Sequence, residues 1–190
     1  MPQPDHIVRI DLPEASAYDA ETAKYFAKCR EKLGMVPNVL LAYTGRPNKL
    51  GTFSRFYNEL MLGESGLSKL EREMIAVVVS SVNRCYYCLV AHGQAVRELS
   101  GDAQLGEMMV MNYRVAALSL RQRAMLDFAW KLTETPHDIG EADRDSLRAA
   151  GFADDDIFDI CDVVGFFNYT NRMAHGLDMM PNPDYHAKSR

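Results

Sequence analysis

Apolar side chains recur at intervals of three and four through most of the chain, the repeat of an amphipathic helix and not the alternation of a strand. Over residues 49–62, Leu50, Phe53, Phe56, Tyr57, Leu60 and Met61 keep that spacing and Gly63 closes the run. An earlier helix is predicted over residues 21–33, stopped by Gly34 with Pro37 soon after. Ser68-Lys69-Leu70-Glu71 is a capping box, so a third helix begins there and continues to about Val82. Further helices are predicted over 85–99 before Gly101, in a shorter piece within 102–111, and from Ser119 to the residue before Pro136. In the last third, 141–150 stops at Gly151, Phe152 is placed to pack back over the helix end, and Asp154 to Asp156 open a long helix over 157–177. The acidic residues around that turn argue for a packed helical hairpin and against one that reads DNA.

Residues 1–17 differ. Val8, Ile10 and Leu12 alternate with Arg9 and Asp11 among prolines, which predicts a short extended arm laid on a helical body of residues 18–190. No Asn-Gly or Asp-Gly dipeptide marks a hairpin, and no repeat or Gly/Pro/Ser-rich linker divides the body. The expected fold is therefore all-α, a single domain whose 190 residues, 47% hydrophobic, suffice for one core. A net charge of −5 with no basic run speaks against nucleic acid or an anionic membrane as partner. No leader pattern and no long uncharged apolar window is readable, so a cytoplasmic location is expected and the Asn168-Tyr169-Thr170 sequon carries no weight. Tyr57, Met108, Met109, Phe166, Phe167, Met179 and Met180 are more large apolar side chains than a small bundle readily buries, which predicts a homo-oligomer.

Four cysteines are too few for a disulfide-built scaffold, and two of them form Cys85-Tyr86-Tyr87-Cys88. Cys85, Cys88 and His92 are spaced three and four apart, which puts both sulfurs and the imidazole within about 60° on one helical face. Asn83-Arg84 reads as a helix break, so the cysteines fall in a first turn, where free backbone N–H groups and the helix dipole favour thiolate. On one continuous helix Glu73 would lie about 18 Å from Cys85. If the chain reverses near Asn83, Glu73 comes level with His92 and can orient and charge the imidazole. The competing reading leaves Glu73 a solvated residue in the first turn of its helix. Zinc would need further ligands from Cys29, Cys161 or a distant histidine; covalent haem would need His where Leu89 stands. The cysteines could also be plain core fillers, and Cys29 and Cys161 themselves read as ordinary buried thiols. His175 reads as a packing or interface residue, His6, His137 and His186 as solvated, Trp130 as core.

Glu73, eleven residues, then Cys85-x-x-Cys88-x-x-x-His92 resembles the signature of the alkylhydroperoxidase AhpD-like proteins of the carboxymuconolactone decarboxylase superfamily. Cys85 to Gly93 looks closest to the branch called peroxidase-related enzymes, with weaker similarity from Gly34-Met35-Val36-Pro37-Asn38 to Asn171-Arg172. The resemblance implies an AhpD-like helical bundle, a homo-oligomer, and no organic or metal cofactor. It also implies a thiol-dependent peroxidase in which Cys88 attacks the hydroperoxide, Cys85 resolves the sulfenic acid to a disulfide, and His92 with Glu73 handles the proton. An external dithiol or thiol protein would restore the pair. The family's prototypes carry histidine where Tyr87 stands, which leaves the relay and the reductant open. A non-catalytic redox sensor or a disulfide oxidoreductase would use the same pair.

Overall fold

The computed structural model describes residues 3–190. Among them are ten α-helices and no strand: α1 (Ala20–Leu33), α2 (Asn38–Leu41), α3 (Pro47–Leu62), α4 (Lys69–Val82), α5 (Tyr86–Ser100), α6 (Ala103–Asn112), α7 (Leu120–Glu134), α8 (Glu141–Ala149), α9 (Asp154–Gly176) and α10 (Asp184–Ala187). The short helices α2 and α10 are absent from the sequence-based reading, because four residues are too few to show a period.

The bundle is organised around α4. Every residue from Met74 to Val79 has no exposed surface, and α5, α7 and α9 pack on its different sides. A helix covered all round has no polar face to show, which is why this stretch reads as a continuous apolar run. Its start is fixed by the capping box: Glu71 N donates to Ser68 Oγ (3.1 Å) and Ser68 N to Glu71 Oε2 (2.8 Å). The other Glu71 oxygen accepts from Arg121 Nε of α7 (3.1 Å), whose guanidinium also lies over the Phe152 ring. Arg72, buried, gives its Nη1 to the carbonyls of Leu60 and Gly63 and so satisfies the open end of α3.

The α8–α9 hairpin is the packed one expected. Gly151, at φ +90°, takes the left-handed turn, Phe152 N bonds back to Leu147 O (3.1 Å), and the Phe152 ring is buried. α5 and α6 cross closely at two glycines. A Cβ on Gly93 would come 2.8 Å from Val110 Cγ2, and one on Gly106 would overlap the Arg97 stem.

The segment before α1 lies on the helical body: Val8 is buried, Ile10 is half exposed, and the segment is held by Arg9 N to Leu177 O (2.8 Å) and Met180 N to Ile7 O (3.0 Å). Met1 and Pro2 of the expected arm lie outside the described residues. His6 is not solvated; its Nε2 lies 3.0 Å from Asp178 O and Oδ2, and only 15% of its side chain is exposed. Met109, Phe166, Phe167 and Met179, counted toward a second copy, are instead buried by this chain's own core, while Met111, Val115, Leu120 and Phe158 are the most exposed of the large apolar residues. No helix among the described residues is long and apolar enough to cross a membrane.

The glycine crossing gives a direct test. Gly106→Ala should force α6 off α5 and lower unfolding free energy by about 1–3 kcal/mol, as for other overpacked contacts. Urea denaturation of the variant checks it; an unchanged midpoint would show that the crossing has slack.

Candidate active site

Two helices meet head to tail at the turn that sequence analysis places near Asn83. Asn83 ends α4, Arg84 takes the left-handed conformation (φ +53°), and Cys85 N reaches back to Ser80 O (2.9 Å) while Arg84 N bonds Ser81 O (3.1 Å). A non-glycine residue at that φ costs about 1–2 kcal/mol, so the turn needs support from elsewhere. α9 supplies it. His175 Nε2 donates to Asn83 O (2.9 Å), and Asn83 Nδ2 donates to Oδ1 of both Asn168 (3.0 Å) and Asn171 (2.9 Å). His175 thus holds the turn, consistent with a packing role.

The turn delivers Cys85 to the N-cap of α5 and Cys88 to its third position. Both are free thiols and nearly fully buried (1% and 3% exposed), packed with Val8, Tyr87, Ala174 and Met179. Each thiol dominates the other's ionisation. A hydrogen bond from the Cys88 thiol, with help from the Cys88 backbone N–H and the two nearby histidines, His175 and His92, brings Cys85 down to about 7 against the cost of burial. Cys88, as the donor and in a buried position, is pushed well up, moderated by the side chains of Asn171 and Ser80. The pair therefore holds one shared proton near neutrality, with the charge resting on Cys85.

Asn171 and Ser80 carry this arrangement and are missing from the sequence-based site. Both are completely buried. Ser80 Oγ donates to Ala76 O (2.6 Å) and accepts from Asn171 Nδ2 (3.1 Å), and the Asn171 carbonyl lies 4.0 Å from Cys85 Sγ. Asn171 sits among Asn168, Thr170 and Arg172, so its polarity does not stand out in the sequence, and Ser80, in a run of small and β-branched residues, offers no signal either.

Glu73 and His92 meet as the chain reversal requires. His92 Nδ1 donates to Glu73 Oε2 at 2.6 Å, with the two side chains only 13% and 11% exposed, so the solvated reading of Glu73 is set aside. The ring stands edge-on to Phe167, 4.6 Å between centroids. With Nδ1 committed to the carboxylate, Nε2 is left as the basic nitrogen. No hydrogen bond joins His92 to Cys88 among the described residues; both line one cavity of about 820 Å3 that Cys85 does not line. Tyr87, at the prototypes' histidine position, also lines this cavity, and its hydroxyl accepts from Val39 N of α2 (3.1 Å), which docks the start of α5. Cys161 lies partly buried on α9, and Cys29, on α1, lines the far wall of the cavity. Among the described residues no three His, Cys, Asp or Glu side chains gather as a metal site.

These features can be set beside known proteins. The family model for the carboxymuconolactone decarboxylase family matches residues 47–104, which hold Glu73, Cys85, Cys88 and His92. A peroxidase-related protein from Silicibacter sp. TM1040 is 63% identical, with all of both chains covered and a TM-score of 0.97. A second, described as an alkylhydroperoxidase AhpD core from Ralstonia eutropha JMP134, is 38% identical over 98% of each chain, with a TM-score of 0.94. No curated protein matches. The chain belongs to the AhpD-like carboxymuconolactone decarboxylase superfamily. The fold alone is shared more widely: the debrominase Bmp8 is 16% identical over 97% of this chain and 96% of its own, with a TM-score of 0.77.

The acidity of the pair is measurable. Ultraviolet thiolate absorbance of the reduced protein should rise in a step centred near pH 7 and lose that step in Cys85→Ser. Cys88→Ser, which keeps a hydroxyl beside Cys85, should retain a step below the ordinary thiol range near 8.5. A first step in the ordinary range for the wild-type protein would overturn the charge assignment.

Proposed function

We propose that the chain is a thiol-dependent peroxidase that reduces hydroperoxides with Cys88 and Cys85 and is recycled by an external dithiol or thiol protein. The observation that carries this reading is the opening of Cys88 and of the Glu73–His92 pair onto one cavity, with a second thiol directly behind. Cys88 passes its proton across the shared hydrogen bond to Cys85 and becomes the thiolate. Its sulfur attacks the outer oxygen of the hydroperoxide, the O–O bond breaks, and the leaving alkoxide takes a proton to become the alcohol. His92 Nε2, turned from Glu73, takes up the proton released when the thiol pair ionises and returns it to that alkoxide. Cys88 is now a sulfenic acid; Cys85 attacks it, the disulfide forms and water leaves. Two electrons and two protons from the external dithiol return both thiols.

One observation favours a second reading. The more acidic thiol is the first of the motif, as suits general disulfide exchange, though Cys85 is 1% exposed and away from the cavity. Mixing reduced protein anaerobically with hydroperoxides, and separately with a small aromatic disulfide, distinguishes the two. Peroxide consumption matched to thiol loss supports the peroxidase; reaction with the disulfide alone supports exchange.

Variants assign the roles. Cys88→Ser should abolish peroxide consumption. Cys85→Ser should permit one oxidation, trapped as sulfenic acid on Cys88, and block turnover. His92→Ala should slow oxidation by about 10²–10⁴-fold, and Glu73→Gln by less, because it acts through the imidazole. Equal behaviour of the two cysteine variants would sink the assignment.

A further inference from the structure

The cavity is far larger than the simplest peroxide requires. Hydrogen peroxide needs little more room than a water molecule's share of about 30 Å3, whereas this space measures about 820 Å3, within the range of sites that enclose whole organic ligands. Its middle is apolar, walled by Leu40, Phe53, Phe166 and Phe167 from α2, α3 and α9.

The polar groups sort toward two ends. At one end are Cys88 and the Glu73–His92 pair. The other is made by α1 and α3. Tyr25, Lys28, Cys29 and Lys32 sit at intervals of three and four on α1, so one face of that helix looks into the cavity. Ser54 of α3 faces them. Its hydroxyl is buried beside the Tyr25 phenol, but no hydrogen bond of good geometry is formed among the described residues, and the space it lines has room for a partner. An unpaired buried hydroxyl is costly, and a ligand acceptor seated there would satisfy it. Tyr57, one turn further along α3, lines the cavity between the two ends: its buried phenol feels Glu73 and Cys88 as well as Tyr25.

Charge at this end is one-sided. Of the two carboxylates that line the cavity, Glu73 is committed to His92 and Glu98 accepts from Gln94 Nε2 (2.6 Å). Lys28 and Lys32 have no carboxylate partner among the described residues, and Lys188, from the chain's last segment, spends one proton on Leu33 O (2.9 Å). Neutral donors within and ammonium groups at the rim fit an acceptor with negative charge.

We propose that the cavity binds an amphipathic organic hydroperoxide, its apolar body lying between α3 and α9 and its distal carboxylate received by Ser54, Lys28 and Lys32. This rests on the peroxidase reading only for the fate of the peroxide; the binding itself does not. The ligand class is a hydroperoxy acid of medium or long chain, and the alcohol left after reduction is the corresponding hydroxy acid.

Calorimetry with a hydroxy fatty acid and its methyl ester tests the binding without any chemistry. The acid should bind the wild-type protein about tenfold more tightly than the ester. Lys28→Gln with Lys32→Gln should remove most of that difference, as expected for partly exposed ion pairs, and Ser54→Ala should weaken the acid by about tenfold. The lysine variant, changed only at the surface, decides the matter if Ser54→Ala fails to fold. Equal binding of acid and ester, or no binding of either, overturns the proposal. Oxidation rates with the hydroperoxy acid, its ester and hydrogen peroxide form a separate arm. If no peroxide oxidises the dithiol while the hydroxy acid still binds, the peroxidase reading fails and the cavity assignment stands.

Discussion

A buried amide holds the site together. Asn171 sits completely inside the bundle on α9 and touches three things at once: Ser80 of α4, Asn83 at the reversal, and the surroundings of both sulfurs. Its partners are themselves buried or half-buried, so removing it would strand several polar groups in a place water does not reach, at a cost larger than that of one exposed bond. The left-handed Arg84 is tolerated because α9 grips the residue before it, Asn83, by both its backbone carbonyl and its side chain. From that constraint follow the position of Cys85 at a helix start, the single proton shared with Cys88, and the register that brings Glu73 to His92.

Much of this was legible in the sequence, and for physical reasons. Caps and spacing mark the long helices, since Ser68-to-Glu71, Gly34, Gly101 and Gly151 each announce an end. The spacing of Cys85, Cys88 and His92 states their common face, and the counts of residues on either side of Asn83 state that Glu73 is level with His92 once the chain reverses. What stayed hidden depends on contacts between distant segments. Ser80 lies 91 positions from Asn171, and nothing local at either position names the other. Ile10 looks like one step of an alternating strand, yet no strand stands beside it among the described residues, and its side chain is half exposed. The cavity is equally nonlocal, made of α1, α3 and α9 together with the last residues of the chain.

Tyr87 shows how one position can leave a motif's chemistry untouched while changing its neighbourhood. In place of a titrating ring it offers a phenol fixed to the backbone of α2, deep in the protein and pushed well above the ordinary tyrosine range by burial. Nothing at that point trades protons near neutrality. The proton traffic is left to the sulfurs and to His92, a simpler arrangement than one with two imidazoles.

The order of segments along the chain has a consequence for biogenesis. The dithiol is complete once residue 88 has been made, but α9, which buries both sulfurs and pins their turn, is built only from residues 154–176. During synthesis at about 5–20 residues per second, that gap leaves a reactive pair unshielded for several seconds on every ribosome. Nascent chains are therefore vulnerable to adventitious oxidants and to mispairing with Cys29, which has already emerged, and a reducing environment at the exit tunnel matters to this protein before it has any substrate of its own.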